Sequence, residues 1–188
     1  ILLGLVGSEM CIRDSFPSRA RPRRNPPSKG IKKPIAWDNV KIGEVYSTTV
    51  APKVAGNGFV VVAEIGGAKS DGVIVAHGGT SVGYSLYTKS GRAVFALRVS
   101  ASKVHRVSLE LPEGKQAKLQ GQITPEGVLS LKVNDGEPVT LKAAVIPNHP
   151  QEDLGIGIDD RNPVDDEASR GKYRGRIHGV NVALMPGV

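Results

Sequence analysis

The sequence predicts an all-β protein from residue 35 onward, built as an antiparallel two-sheet β-sandwich. Apolar and polar side chains alternate along most of the chain after residue 45, which is typical of strands with one buried face. The 23 glycines and 13 prolines favour turns over long helices. No stretch of about ten residues shows the periodicity of an amphipathic helix.

The alternation is clearest in four short segments. They are VSLEL (107–111), LSLKV (129–133), VTLKA (139–143) and VNVAL (180–184). In each one the apolar residues share a face, so two sheets packed face to face would bury both apolar faces. The whole chain offers about ten or eleven such segments, and this number of strands indicates a sandwich of the jelly-roll type.

Turn residues separate these segments at regular intervals. The clearest turns are KSGR (89–92), PEG (125–127) and NDGE (134–137). The last one contains Asp-Gly between two alternating segments, which is a strong hairpin signal. The sequence therefore predicts consecutive antiparallel strands.

The charge of the chain is concentrated at its N-terminus. Residues 1–33 carry eight Lys/Arg and two acids, whereas residues 34–188 carry 17 Lys/Arg and 16 acids. A nearly neutral domain is not expected to bind nucleic acid, although the basic segment could touch polyanions. The single cysteine, Cys11, excludes an intrachain disulfide, and no apolar run has the ~20 residues of a membrane helix.

The first residues do not resemble the rest of the chain. ILLGLVGSEMCIRDS (1–15) resembles the translated read-through of sequencing adaptors in metagenomic gene predictions, so we expect a fragment with a false start. Residues 16–34 are basic and rich in proline, which is typical of a disordered linker. The predicted organisation is a disordered artefactual segment (1–15), a disordered linker (16–34) and a β-sandwich domain (35–188).

His77-Gly78-Gly79 has two interpretations. An HGG run can form an oxyanion hole in some hydrolases, and GVIVAHGG also suggests a phosphate-binding turn. Both sites need a strand that leads into a helix, whereas this segment continues into another predicted strand. We therefore interpret His77 as a residue at the end of a strand, and contact with a ligand is the less favoured alternative.

An acidic segment, GIDDRNPVDDEASRG (157–171), suggests a calcium site. Its candidate ligands are Asp159, Asp165 and Asp166, because calcium prefers oxygen ligands. The spacing is not that of an EF-hand, so the preferred interpretation is a solvated loop partly neutralised by Arg161, Arg170 and Lys172. We expect at most weak calcium binding and no other cofactor, since the scattered histidines do not have zinc-site spacing.

Several motifs resemble the C-terminal β-sandwich domain of bacterial arylsulfatases. They are GVIVAHGG (72–79), YSLYTKSGR (84–92), VF (94–95), the hairpin SLKVNDGEP (130–138) and the ending from residue 154 to residue 184. The resemblance covers roughly residues 35–184, and the family's VGxD is replaced by Ile156-Gly157-Ile158-Asp159. It implies a concanavalin- or laminin-G-like jelly roll without catalytic residues.

The resemblance also implies what the domain does. It would be a non-catalytic accessory domain, packed against an upstream sulfatase catalytic domain in a secreted or periplasmic enzyme. The alternative function is a carbohydrate-binding module for a sulfated polysaccharide, with His77, Tyr84 and Tyr87 as candidate ligand contacts. A glycanase is disfavoured because the predicted strands carry only the isolated Glu64 and Glu110 and no paired carboxylates.

Overall fold

The structure, a computed structural model, describes residues 35–38, 41–67, 70–114, 116–159, 162–169 and 171–185. These residues form two antiparallel six-stranded sheets and no helix. The predicted all-β sandwich is therefore confirmed. The expectations for residues 1–34 lie outside the described residues, so the proposed domain boundaries stay predictions.

Twelve strands follow one another along the chain. They are β1 (Ile35–Asp38), β2 (Val45–Tyr46), β3 (Phe59–Gly66), β4 (Gly72–Gly78), β5 (Gly83–Lys89), β6 (Arg92–Ser100), β7 (Lys103–Glu110), β8 (Gln116–Ile123), β9 (Val128–Val133), β10 (Val139–Lys142), β11 (Leu154–Ile156) and β12 (Arg176–Leu184). The first sheet has the order β1-β12-β3-β8-β9-β10, and the second has the order β2-β11-β4-β5-β6-β7.

The hairpin turns lie where the sequence predicts them, and their backbone explains the residues found there. Ser90 and Gly91 join β5 to β6 with φ angles of 51° and 76°, the left-handed conformation that suits a tight hairpin. Between β9 and β10 the left-handed residue is Asn134, with φ of 50°, and not the glycine of the Asp-Gly pair. Asparagine tolerates this conformation better than most residues.

The core lies between the two sheets and is filled by the alternating apolar residues. On β9, Leu129 and Leu131 are fully buried, whereas Ser130 between them is partly exposed. Leu141 departs from the prediction: its side chain is 40% exposed. The reason is its position on β10, the edge strand of its sheet, where no further strand covers it.

Strand β4 is buried on both faces, which alternation alone does not predict. Its inner face contributes Ile74 and Val75 to the core between the sheets, and its outer face carries Val73 and Ala76. The acidic segment covers this outer face, because its Val164 is buried in the same cluster. The prediction of a solvated acidic loop is therefore wrong for its central part.

None of the described residues belongs to a helix long and apolar enough to cross a membrane.

Candidate ligand-binding cleft

The two glycines of the HGG run are explained by packing. Gly78 has a φ angle of 100°, and a Cβ added there would collide with the Val82 carbonyl oxygen across the β4–β5 turn. A Cβ on Gly79 would lie 2.7 Å from Glu152 Oε1 and 2.8 Å from the Asn162 carbonyl oxygen. Two loops therefore approach this turn so closely that only glycine fits, which accounts for the motif without catalysis.

Residues 79–83, GTSVG, have the G-x-S-x-G spacing of a nucleophile elbow, but not its structural context. Such an elbow lies between a strand and a helix, whereas Ser81 is exposed in the turn between β4 and β5. His77 cannot act as its base, because both ring nitrogens are buried and have no hydrogen-bond partner. The structure therefore does not assemble a Ser–His pair at this turn.

The two loops that meet over Gly79 form the walls of a cleft. One wall is the segment before β11, with Gln151, Glu152 and Asp153, and the other follows β11, with Asp159 and Asn162. The cleft has a volume of about 620 Å³. Its floor consists of small residues from β4 and β11, and its apolar lining comes from Val45 and Ile158. The floor residues are Ala76, Gly78 and Gly155.

Hydrogen bonds hold the acidic side chains of the cleft in place. Asp153 Oδ1 accepts a hydrogen bond from the Thr48 amide at 3.1 Å, and Asp159 Oδ2 accepts one from the Val164 amide at 3.0 Å. Glu152 Oε2 is buried and has no hydrogen-bond partner. The described lining therefore presents carboxylate and carboxamide groups above an apolar floor, an arrangement suited to binding hydroxyl groups.

A buried ion pair fixes the wall that follows β11. Asp165 has an exposed fraction of 0% and accepts two hydrogen bonds from the Arg106 guanidinium, both at 2.7 Å. The Tyr87 hydroxyl donates a third hydrogen bond at 3.0 Å. Burial by itself raises the pKa of Asp165, but the hydrogen bonds from Arg106, the Glu167 amide and Tyr87 outweigh it and hold this pKa below its usual value.

A second arginine strengthens the same wall. Arg98 is only 4% exposed, and its Nε donates a hydrogen bond to the Val164 carbonyl oxygen at 2.6 Å. Its Nη2 contacts Asp166 Oδ2 at 3.2 Å. The acidic segment is therefore attached to β6 and β7 by two arginines that the sequence analysis did not consider as its partners.

The other wall packs on a pair of histidine rings. His77 lies edge-to-face against Tyr84, with ring centroids 5.6 Å apart, and against His149, at 5.3 Å. His149 Nε2 lies 3.0 Å from Thr48 Oγ1, which joins the segments 47–53 and 147–153. Desolvation by burial, followed by the charges of His149 and Lys53, lowers the pKa of His77 to about 3.

The predicted ligand contacts do not line the cleft. His77 and Tyr84 are 0% exposed and Tyr87 is 1% exposed, so all three side chains pack inside the domain. Contact between any of them and a ligand stays a prediction. Phe59, Phe95 and Tyr173 are buried as well, so none of these three rings offers an exposed platform for a sugar.

Each of the three candidate calcium ligands has a different partner within the protein. Asp165 pairs with Arg106, Asp166 contacts Arg98, and Asp159 accepts the hydrogen bond from Val164. Over the described ranges, no group of three His, Cys, Asp or Glu side chains is arranged to hold a metal ion. Calcium binding stays a prediction to be tested.

Sequence reasoning missed the cleft because its walls come from segments without periodicity. The only local signal is the polar run Gln151-Glu152-Asp153 directly before a short strand. Nothing in that run indicates that Asn162 and Val45 lie beside it, since the chain must fold to bring them together.

Comparisons with known proteins relate the chain to other β-sandwich domains. No protein-family model and no curated protein matches the sequence. Among solved structures, the CBM40 domain of the Ruminococcus gnavus IT-sialidase bound to α2,6-sialyllactose is similar, with a TM-score of 0.59 and 13% identity over 81% of this chain and 94% of that chain.

Two laminin structures are also similar. The LG1–3 region of the laminin α2 chain has a TM-score of 0.58 and 15% identity, over 80% of this chain and 32% of that chain. Domains LG4–5 of the mouse laminin α1 chain have a TM-score of 0.53 and 14% identity, over 87% of this chain and 46% of that chain. At these identities the similarity shows the jelly-roll fold, in agreement with the predicted concanavalin- or laminin-G-like sandwich.

Proposed function

We propose that residues 35–188 form a non-catalytic carbohydrate-binding module and that the sugar binds in the cleft between the two loop walls. The observation that carries the proposal is the cleft itself, with about 620 Å³ of space above a floor of small residues. Concave sites with a few convergent polar groups are the usual ligand sites of proteins. The similarity to a sialidase CBM40 domain and to laminin domains is consistent with a binding role.

The chemistry of the lining fits a sugar. A pyranose ring offers an apolar face of C–H groups and a rim of hydroxyls. Val45, which is 58% exposed, and Ile158 provide apolar contacts in the cleft. Gln151 and Asn162 can donate hydrogen bonds to sugar hydroxyls as well as accept them, whereas the carboxylates can only accept. The absence of an aromatic ring from the described lining favours a short ligand with modest affinity.

A binding experiment with two matched double variants tests the proposal. Gln151→Ala/Asn162→Ala removes two exposed carboxamides from the cleft, and Gln120→Ala/Gln122→Ala removes two partly exposed carboxamides from the outer face of the other sheet. After a glycan array identifies a ligand, calorimetry measures the affinity of both variants. Two lost hydrogen bonds are worth about 1–3 kcal/mol, so we expect the cleft variant to bind about tenfold more weakly.

Each outcome of this experiment decides the proposal. Weaker binding by the Gln151/Asn162 variant, together with unchanged binding by the Gln120/Gln122 variant, supports the cleft as the site, whereas unchanged binding by both variants would refute it. Loss of binding in the Gln120/Gln122 variant alone would place the sugar on the outer face of the first sheet. If the array finds no glycan that binds, the domain is not a carbohydrate-binding module.

A second candidate is the accessory domain of a secreted or periplasmic sulfatase. It rests on the motif series of residues 72–79 and 84–92, which resembles the arylsulfatase C-terminal domain. The structure gives Gly78 and Gly79 a packing reason, so these motifs support the fold more directly than an enzyme partner. Sequencing the gene upstream of residue 16 tests this candidate, and a C-x-P-S-R-x-x-L-T-G motif there would establish the parent enzyme.

A further inference from the structure

Strand β7 is the longest edge strand of the two described sheets. The described part of the chain places β6 on one side of β7 and no strand on the other. β7 has eight residues, whereas the edge strands β1, β2 and β10 have four, two and four. Natural proteins usually keep such edges short or block them with proline, because unpaired amides and carbonyls are a template for another strand. β7 is neither short nor interrupted by proline.

The hairpin geometry shows which backbone groups of β7 are unpaired. Ser90 and Gly91 form a two-residue turn, so Lys89 and Arg92 close the β5–β6 hairpin as a hydrogen-bonded pair. Backbone direction alternates along a strand, so the odd-numbered residues of β6 bond to β7, in agreement with the 2.9 Å bond from the Leu111 amide to the Gly91 carbonyl oxygen. The amides and carbonyls of the even-numbered residues of β7 therefore point away from β6. These residues are Val104, Arg106, Ser108 and Glu110.

The same side of the sandwich exposes an apolar side chain. β7 packs against β9 and β10 of the first sheet, so the edge strands β7 and β10 lie on one side of the sandwich. Leu141 of β10 pairs with the buried Leu129 and shares its inner face, but is itself 40% exposed. A molecule that docks along β7 therefore also approaches Leu141 and can remove apolar surface from water.

We propose that two copies of this chain pair along β7, antiparallel and about a two-fold axis at Ser108, so that their second sheets become one continuous sheet. Only even-numbered residues of β7 can form the hydrogen-bonded pairs, which leaves few registers. An axis at Arg106 places two arginines directly opposite each other, which is unfavourable. An axis at Val107 places Arg106 opposite Ser108. An axis at Ser108 places Arg106 opposite Glu110 of the second copy, and the symmetry repeats this pair of opposite charges.

The groups that meet in this register suit one another. The Glu110 side chain is 84% exposed and contacts Arg92 at 3.2 Å, and a carboxylate has acceptor sites for a second guanidinium as well. On the inner face, Val107 lies opposite Leu109 of the second copy, an apolar cross-strand pair. The Ser108 carbonyl oxygen, which has a long contact of 3.5 Å with Arg92 Nη2, accepts the Ser108 amide of the second copy instead.

The mass of the full chain in solution tests the pairing. Residues 1–33 carry a formal charge of +6 in each copy, so the measurement needs about 0.15 M salt to screen their repulsion. Sedimentation equilibrium should show a mass that rises with concentration from 19.8 kDa toward twice that value. A single-chain mass at every concentration up to about 100 μM overturns the proposal.

Two variants at Ser108 and one matched control connect the dimer to β7. Ser108→Lys places two ammonium groups opposite each other at the axis, and Ser108→Pro removes an amide that β6 does not use, as edge strands tolerate. Each should weaken the dimer about tenfold or more, because both central hydrogen bonds are disturbed. Ser130→Lys is the control, since Ser130 lies on the outer face of β9 between two strands.

The outcomes of this comparison are decisive. If Ser108→Lys leaves the dimer intact, or if Ser130→Lys weakens it as much, the pairing does not run along β7. Thermal melting shows whether each variant folds, and Ser108→Lys decides alone if the proline variant does not.

A cross-link tests the register. Residues in a hydrogen-bonded antiparallel pair have Cα atoms about 5.5 Å apart, within the roughly 4.4–6.8 Å that a disulfide spans. The double variant Cys11→Ser/Ser108→Cys should therefore form a disulfide-linked dimer under mild oxidation, whereas Cys11→Ser/Ser130→Cys should stay a single chain. Equal cross-linking of both, or none in the Ser108→Cys protein, refutes an axis at Ser108.

Discussion

Acidification should lower the free energy of unfolding of this domain, and part of that decrease should come from His77. The ring is 0% exposed, neither nitrogen has a hydrogen-bond partner, and burial lowers its pKa to about 3. In the unfolded chain the pKa of histidine is about 6.5. Between these two values the unfolded state binds a proton that the folded state does not bind. The free energy of unfolding is therefore unaffected by His77 above pH 6.5 and decreases as the pH falls below it.

The size of this effect follows from the linkage relation. Each pH unit below about 6.5 costs about 1.4 kcal/mol, so the loss reaches about 2 kcal/mol near pH 5. A domain of this size has a net stability of about 5–15 kcal/mol. The His77 contribution is therefore large enough to measure.

Urea unfolding of the natural protein and of His77→Leu, at about pH 7.5 and about pH 5, measures the effect. The natural protein should lose about 2 kcal/mol more than the variant over this range. Leucine has a similar volume and leaves no polar atom unpaired, so the variant should be at least as stable at the higher pH. His178→Gln is a control for the removal of an exposed histidine.

Parallel pH dependence in the natural protein and His77→Leu would refute this reasoning. It would mean that the ring finds a hydrogen-bond partner or accepts a proton in the folded state. A strong loss of stability in the variant at the higher pH would lead to the same conclusion, because it would reveal a bond that leucine cannot make.

Three further predictions concern stability. Arg106→Met leaves Asp165 buried without its cation and should lower the free energy of unfolding, measured with urea, by about 3 kcal/mol. Arg92→Met breaks an exposed ion pair and should lower it by less than about 1 kcal/mol. Equal losses in the two variants would contradict this prediction. Gly121→Ala places a Cβ 2.6 Å from the Phe95 ring and should cost about 1–3 kcal/mol, seen as a lower melting temperature. Millimolar calcium should raise the melting temperature little, and a large increase would reveal a site that involves the acidic segment.

The strands could be predicted from sequence because their signal is local. In LSLKV, every second side chain is apolar, and the described structure buries Leu129, Leu131 and Val133 as expected. Each residue's face depends only on the residues beside it, since the side-chain period of a strand is two. The edge position of Leu141 was not predictable, because it depends on which strand lies at the end of the sheet.

The candidate site was predictable only in part. Asp159 and Asp165 were identified as candidate calcium ligands, although the preferred interpretation was a solvated loop partly neutralised by Arg161, Arg170 and Lys172. The structure instead pairs Asp165 with Arg106, which lies 59 residues away in the chain. No local pattern carries information about such a pair, because the guanidinium and the carboxylate meet only after the acidic segment folds over β4 and β5.

The amino-acid sequence by itself determined the fold class, the hairpins and the apolar face of most strands, because alternation and turn propensity act between neighbouring residues. Only the tertiary structure decided that His77 is an inaccessible core residue, that two glycines make room for two loops, and that acidic groups from both loops meet in one cleft. Contacts between distant segments depend on the packing of the whole sandwich, and no short stretch of the chain predicts that packing.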